Sequence, residues 1–186
     1  MVKSTSRFFK AKDGLKLHLR EYGAPQAKRL PILCLPGLAR TAADFDTLAN
    51  FLADDLSPTS RHVLAFDYRG RGLSDRDPNW KNYDLMIENA DVLGICDQLG
   101  IQKAILIGTS RGGLHALLMS MTRPKLLRGI VLNDIGPVIE HTGMARIRGY
   151  VGQLPQFTSY AQAIAAFKTI MGPYFTALSE ADWQTY

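Results

Sequence analysis

The amino-acid sequence predicts an α/β fold, a three-layer sandwich built on a mostly parallel central sheet. Short apolar runs have the length of strands that are buried on both faces, and amphipathic stretches with helical spacing separate them. Gly and Pro residues mark the turns between these segments. Buried strands that alternate with such helices form βαβ units, which wind right-handed and leave helices on both faces of the sheet.

The first predicted element is a β-hairpin. An Asp13-Gly14 pair lies between two apolar segments in the region from Phe8 to Tyr22, and the second segment alternates apolar and polar residues. Alternation around Asp-Gly is typical of a tight hairpin turn.

Four buried strands and three helices follow the hairpin. The strands are predicted at residues 31–35, 62–66, 104–107 and 127–132, and the helices begin near residues 41, 84 and 110. Thr41 followed by Asp44 indicates a capped start for the first helix. The apolar stripe of that helix is expected on Phe45, Leu48, Ala49, Leu52 and Leu56. The stripe of the third helix is expected on Leu114, Leu117, Leu118 and Met121.

After Pro137 the pattern changes, because residues 138–186 contain helical stretches at 161–170 and 179–186 and no predicted strand. We therefore expect residues 1–137 to form the α/β core and residues 138–186 to form a helical segment beside it.

Composition argues against several other classes of protein. The net charge of +5 comes from scattered Lys and Arg residues with no basic run longer than two, which argues against nucleic-acid binding. No apolar segment approaches the roughly 20 residues of a membrane span, and no signal peptide begins the chain. Cys34 and Cys96 lie in apolar segments without metal-site spacing. These features predict a cytoplasmic protein without a structural metal.

The chemistry is predicted at Gly108-Thr109-Ser110-Arg111-Gly112, between a buried strand and an amphipathic helix. A nucleophile elbow has the pattern Gly-x-Ser-x-Gly between a strand and a helix, and its sharp turn exposes the Ser110 hydroxyl at the end of the strand. Gly108 and Gly112 are needed because side chains there would collide with the neighbouring strand or helix. The alternatives are a small-residue turn without chemistry and a phosphate-binding loop, although no G-x-G-x-x-G occurs at this turn and no Walker-type Gly-Lys-Ser/Thr occurs in the chain.

Four stretches, in this order, resemble the α/β-hydrolase superfamily in its esterase, lipase, lactonase and carbon–carbon hydrolase branches. They are residues 33–38 (LCLPGL), 67–75 (DYRGRGLSD), the elbow at 108–112, and 132–137 (LNDIGP). The resemblance covers nearly everything up to residue 137. It implies an α/β-hydrolase fold that is incomplete at its C-terminus, with residues 138–186 as a partial helical cap. It also implies a serine hydrolase that attacks a small-molecule ester, lactone or related carbonyl and forms an acyl-enzyme on Ser110, without a cofactor.

The same resemblance assigns roles to further residues. The backbone N–H groups of Leu38 and Arg111 form the oxyanion hole, and Pro36 stands where many members have His. The catalytic acid is either Asp134 or an acid one strand later. In the family the 67–75 loop is structural, so its carboxylates are expected to cap turns and pair with Arg. The Arg111 side chain is open to two interpretations, a salt bridge or a contact with an anionic substrate.

The resemblance places the catalytic histidine after the last strand of the fold. We therefore expect it beyond residue 186, and we expect the 186-residue chain alone to be inactive. His18, His62 and His115 are expected to be structural, and His141 is the one candidate near the site in topology. The alternative to an enzyme is a truncated or non-catalytic chain whose open sheet edge associates with a partner or with a second copy, as a homodimer.

Overall fold

The computed structural model describes residues 4–26, 28–54, 56–152 and 156–185. Its contacts divide the chain into two compact units, Met1–Ile139 and Glu140–Tyr186. The first unit contains the strands β1 Thr5–Lys10, β2 Lys16–Tyr22, β3 Ile32–Leu35, β4 Val63–Phe66, β5 Ala104–Thr109 and β6 Leu127–Asn133. Its helices are α1 Asp46–Leu52, α2 Leu85–Gln98 and α3 Arg111–Thr122. The second unit contains α4 His141–Tyr150, α5 Tyr160–Met171 and α6 Glu180–Thr185. That the second unit acts as a cap stays a prediction.

The six strands form one sheet in the order β1-β2-β4-β3-β5-β6. The predicted hairpin pairs β1 with β2 antiparallel, and β2 pairs antiparallel with β4. The pairs β4–β3, β3–β5 and β5–β6 are parallel, which confirms the mostly parallel sheet. The carboxyl ends of β3 to β6 therefore meet at one edge, where ligands bind in open α/β sheets.

Helices cover both faces of this sheet, as predicted. On one face, leucines of β3, β4 and β5 pack with residues of α2 and α3 in a core that includes Leu33, Leu64, Leu106, Val92, Ile95, Cys96, Ala116 and Met119. On the other face, the alternate residues of β3 and β4 pack with α1 and its flanking residues in a core that includes Cys34, Val63, Ala65, Phe45 and Ala49. Cys34 and Cys96 are free thiols inside these cores, and burial raises the pKa of each to about 12.

The first helix is shorter than its predicted stripe. The chain enters it through a 3₁₀ turn at Ala42–Phe45, capped by the Thr41 hydroxyl, which accepts the N–H of Ala43 at 3.3 Å. The helix ends at Leu52, so Leu56 lies outside it and is 93% exposed. The Asp44 carboxylate pairs with Arg40 at 2.6 Å rather than completing the predicted capping arrangement.

The predicted buried face of α3 is wrong. Met121 is 81% exposed, and the buried residues of this helix are Gly112, Gly113, His115, Ala116 and Met119. The face towards the sheet carries glycine, alanine and one methionine because the N-terminal turn of α3 runs very close to the strands. Helix α4 was not predicted from the sequence, and the two later helices were.

The loop after β4 is held by buried charges. The Asp67 carboxylate accepts the N–H groups of Ala42 at 2.7 Å and Leu73 at 3.1 Å, and its Oδ2 lies 2.7 Å from Nδ1 of His18. The buried Arg69 guanidinium binds both oxygens of Asp91 at 2.7 and 2.9 Å and also contacts Asp13 and Asp77. These contacts agree with the structural role expected for the 67–75 loop.

Asp67 makes the stability of the fold depend on pH. Burial alone raises the pKa of this carboxyl, but hydrogen bonds from His18, Ala42 and Leu73 outweigh it and lower the pKa below its ordinary value. A carboxyl with a depressed folded-state pKa stabilises the fold above the unfolded value, about 3.9, and this contribution is lost as pH falls through the folded value.

We therefore expect Asp67→Asn to lower the free energy of unfolding near pH 7 and to lower it progressively less below about pH 4. Urea unfolding of both chains over a pH series measures the difference. A difference that is the same at every pH would contradict the assignment of this carboxylate as ionised in the fold.

Candidate active site

Ser110 occupies the turn between β5 and α3. Its φ of 50° and ψ of −110° are unusual for a residue with a side chain, and the residue is partly exposed. The turn is held on both sides, because the Ser110 N–H donates to the carbonyl of Asn133 at 2.9 Å and the Ser110 carbonyl accepts the N–H of Gly113 at 2.9 Å. Strained backbone of this kind costs about 1–3 kcal/mol and persists only where its surroundings enforce it.

Two glycines allow this turn. A Cβ atom added at Gly108 would overlap the backbone of Gly112 and Gly113, and one added at Gly112 would overlap the carbonyl group of Leu35 in β3. The start of α3 is therefore pressed against the ends of two strands, with no room for a side chain between them. This close packing is the local reason that the chain must turn sharply at Ser110.

Unpaired amides flank Ser110. A Cβ atom at Gly37 would lie 3.7 Å from the Cβ of Ser110, so the loop after β3 borders the serine. Among the described residues, no hydrogen-bond acceptor is found for the backbone N–H of Leu38 or of Arg111. Arg111 also begins α3, where the helix dipole favours negative charge. Two donors beside a partly exposed hydroxyl can stabilise an oxyanion that forms there.

Asp134 follows β6 at the same edge of the sheet. The register pairs Thr109 of β5 with Asn133 of β6, so Ser110 and Asp134 are the next residues on adjacent strands. Asp134 is exposed and has a φ of 53°. With Ala39 at 61° and Ser110, it is one of three residues other than glycine with positive φ in the described part of the chain. All three follow parallel strands at this edge.

The described histidine side chains lie elsewhere. His18 contacts Asp67 and Ser6, and His62 precedes β4 at the opposite edge, with its Nε2 2.7 Å from Glu21. His115 is fully buried on α3 and packs on Tyr68, with ring centroids 4.8 Å apart. All three are buried, which agrees with the structural role expected for them. His141 begins α4, and its side chain lies outside the described part of the structure.

The Arg111 side chain forms a salt bridge, which is one of the two interpretations that the sequence allows. Its Nε and Nη2 lie 2.8 and 2.6 Å from Oε2 of Glu88, a buried residue of α2. Nε2 of His115 lies 3.3 Å from the same oxygen, yet neither ring nitrogen makes a hydrogen bond with the described residues. Burial lowers the pKa of His115 against the attraction of the Glu88 carboxylate, so the imidazole is neutral at pH 7.

Sequence reasoning missed Glu88, although a signal was present. Glu88 shares a helix face with Val92 and Ile95, so it is an acidic residue inside the apolar stripe of α2. A charge in such a stripe is rarely buried without a partner. The partner here is the side chain of the residue that follows Ser110.

Comparison with known proteins agrees with this geometry. The family model described as alpha/beta hydrolase fold matches residues 31–186. The chain belongs to this family. A crystal structure of an alpha/beta hydrolase from Novosphingobium aromaticivorans superposes with a TM-score of 0.92 and 38% identity, over 100% of this chain and 63% of that one.

Two curated relatives of this chain have names that state an activity. The 3-hydroxybutyrate-oligomer hydrolase of Cupriavidus necator is 29% identical over 159 residues, which are 86% of this chain and 52% of that protein. The sn-1-specific diacylglycerol lipase ABHD11 of Mus musculus is 35% identical over 107 residues, which are 58% of this chain and 33% of that protein. The matched part of the chain thus spans about half of the first relative and a third of the second. No helix among the residues that the structure describes has the length and apolarity to cross a membrane.

The close approach of α3 to β3 predicts the effect of filling it. Gly112→Ala should lower the free energy of unfolding by about 2 kcal/mol or more, because the added methyl group meets the Leu35 carbonyl. Gly94→Ala in α2 is the matched control, since its Cβ meets nothing within 4 Å and alanine favours a helix, for a gain of about 0.5–1 kcal/mol. Urea unfolding measures both, and a neutral Gly112→Ala would mean that the elbow is not closely packed.

The Glu88–Arg111 pair predicts a second effect on stability. Glu88→Gln should cost about 3 kcal/mol, because it leaves the partly buried Arg111 guanidinium without its counter-charge. The control is Asp97→Asn on the same helix, which breaks the exposed pair with Arg123 and should cost less than about 1 kcal/mol. Chemical denaturation measures the free energy of unfolding of both variants. Equal losses would mean that Glu88 does not hold Arg111 in place.

Proposed function

We propose that the whole protein is a serine hydrolase that cleaves a small-molecule carboxylic ester or lactone through an acyl-enzyme on Ser110. One observation carries the proposal: a serine with a strained, positive φ stands partly exposed between two backbone amides that have no acceptor among the described residues. A turn with only a structural role has no use for an exposed hydroxyl in strained backbone. Strain of this kind clusters at active sites.

The reaction follows from these groups. The Ser110 hydroxyl loses its proton to a general base as its oxygen attacks the carbonyl carbon, and the carbonyl oxygen takes the negative charge. The N–H groups of Leu38 and Arg111 donate to that oxygen, where stabilisation of the developing charge contributes most to the rate. The alcohol leaves with a proton from the base. Water then attacks the acyl-enzyme by the same route and frees Ser110.

Asp134 is our candidate for the acid that orients the base. It follows the strand next to Ser110, and it is exposed, so an imidazole can approach it from outside the described core. An acid one strand later stays the alternative. We place the base outside the buried side chains of His18, His62 and His115, because the first contacts Asp67, the second contacts Glu21 at the opposite edge and the third packs on Tyr68.

The names of the two curated relatives support a carboxylic ester as the substrate class, because one is a hydrolase of 3-hydroxybutyrate oligomers and the other is a diacylglycerol lipase. The proposal does not extend to either substrate in particular, since both relatives match over only part of their length.

A second candidate function is association through the sheet edge. Among the described residues β6 pairs with β5 alone, and Ile130 and Val131 are 38% and 50% exposed. Such an edge can pair with a second copy to form a homodimer. A non-catalytic module of this kind needs no reactive serine, so the labelling experiment separates the two candidates.

The test is covalent labelling of the whole protein with a fluorophosphonate, in which the Ser110 oxygen bonds to phosphorus and fluoride leaves. We expect one label on Ser110, located by peptide mass spectrometry, and none in Ser110→Ala. The turnover of short-chain esters should fall by about 10³-fold or more in that variant. Ser120→Ala removes an exposed serine of the same helix and should keep both properties. Labelling elsewhere, or undiminished turnover in Ser110→Ala, would overturn the proposal.

A further inference from the structure

A small pocket is lined in part by the two residues whose amides we propose to hold the oxyanion. Its volume is about 60 Å³, and its lining includes Leu38, Tyr68, Arg71, Tyr83, Glu88 and Arg111. A complete ligand pocket is larger, about 300–1,000 Å³. This pocket therefore has the size of a subsite for one small group, and Arg111, the residue after Ser110, contributes to its lining.

The two tyrosine hydroxyls that line this pocket are already engaged in hydrogen bonds. The Tyr68 hydroxyl donates to the carbonyl of Pro36 at 3.2 Å, and the Tyr83 hydroxyl is engaged with the backbone of Asp77. The Glu88 carboxylate faces the Arg111 guanidinium through its Oε2. The groups left to bind a ligand are guanidinium N–H groups and the two backbone amides as donors, and Oε1 of Glu88 as an acceptor, for which no hydrogen bond is found with the described residues.

Arg71 supplies the positive charge. The Arg71 side chain makes one hydrogen bond with the described residues, from Nη1 to the carbonyl of Gly70 at 3.2 Å, and no described carboxylate forms an ion pair with it. The pocket contains two guanidinium groups and one carboxylate, so it carries one net positive charge. A guanidinium without a counter-ion, walled by two aromatic rings, is suited to a carboxylate, which it can bind through two parallel hydrogen bonds.

We propose that this pocket binds a free carboxylate on the acyl part of the substrate, so that the preferred substrates are monoesters of short dicarboxylic acids. The inference rests on the proposed function and adds its substrate class. The pocket shares Leu38 and Arg111 with the oxyanion site, which places the bound carboxylate a few atoms from the carbonyl that Ser110 attacks. Arg71 is the specificity-determining residue, and Arg111 is held at the pocket by Glu88. Arg111 can therefore form the salt bridge with Glu88 and also contact an anionic substrate.

The experiment compares matched esters on the whole protein. The substrates are the monomethyl esters of succinic, glutaric and adipic acid, each paired with the neutral methyl ester in which an isopropyl group replaces the carboxylate. Release of acid is followed by pH-stat titration. We expect kcat/KM for at least one acidic ester to exceed that of its neutral partner by about tenfold or more, the effect of a charge-assisted hydrogen bond.

Arg71→Gln should remove most of this preference, by lowering kcat/KM for the acidic ester about tenfold more than for the neutral one. Arg76→Gln is the matched control: it removes the same charge from an exposed position of the same loop, outside the lining of the pocket, and should keep the preference. Equal values for the paired esters in the unsubstituted protein, or a preference that survives in Arg71→Gln, would overturn the inference.

Fluorophosphonate labelling separates this failure from failure of the proposed function. If Ser110 is labelled and each acidic ester is hydrolysed no faster than its neutral partner, the carboxylate subsite is wrong and the serine mechanism stands. If Ser110 is not labelled and neither ester is hydrolysed, both proposals are wrong.

Discussion

The close approach of α3 to the ends of β3 and β5 is the constraint on which the candidate site depends. Gly108 and Gly112 leave no space for a Cβ atom between helix and strands, so the chain must reverse within one residue. That residue is Ser110, whose backbone takes the strained conformation and whose side chain is carried to the edge of the sheet. The same geometry brings the first N–H of α3 beside the serine. The nucleophile and one of the oxyanion donors that we propose thus both follow from one packing contact.

A second layer of interactions supports this edge from beneath. The buried carboxylate of Asp67 ties the loop after β4 to the start of the α1 region, and Arg69 ties it to α2. Helix α2 in turn holds α3 through Glu88 and Arg111. The loops after β3, β4 and β5 are therefore connected through charged side chains to helices on both faces of the sheet. Removal of one member leaves another buried charge without compensation, which is why such networks rigidify their surroundings.

The parts of this structure that follow from local pattern could be predicted from the sequence. The hairpin was recognisable from Asp13-Gly14, the strands from their apolar runs, and the elbow from the spacing of glycines around Ser110. The length of α1 was overestimated because Leu56 continued the apolar spacing past the true end of the helix. The buried face of α3 was misjudged because its leucines suggested a core. Close packing of the helix against Leu35 of β3 instead selects small residues. The distance between helix and strand cannot be read from the local sequence.

The pairing of Glu88 with Arg111 lies equally beyond local pattern. The two residues are 23 positions apart on different helices, and the sequence alone shows two charges without a reason to join them. The carboxylates of the 67–75 loop illustrate the opposite case. Their structural role was expected from the resemblance, although the partners Ala42, His18 and Asp91 could be identified only from the fold.

Ala39, Ser110 and Asp134 share a left-handed backbone, and each follows a parallel strand on the same rim. Together they store several kcal/mol at about 1–3 kcal/mol each, against the roughly 5–15 kcal/mol by which a typical domain is stable. Selection for thermal resistance would therefore favour a less strained backbone at this rim. Glycine at position 39 or 134 would relieve part of this strain, and laboratory evolution towards heat tolerance should select such substitutions at these two positions.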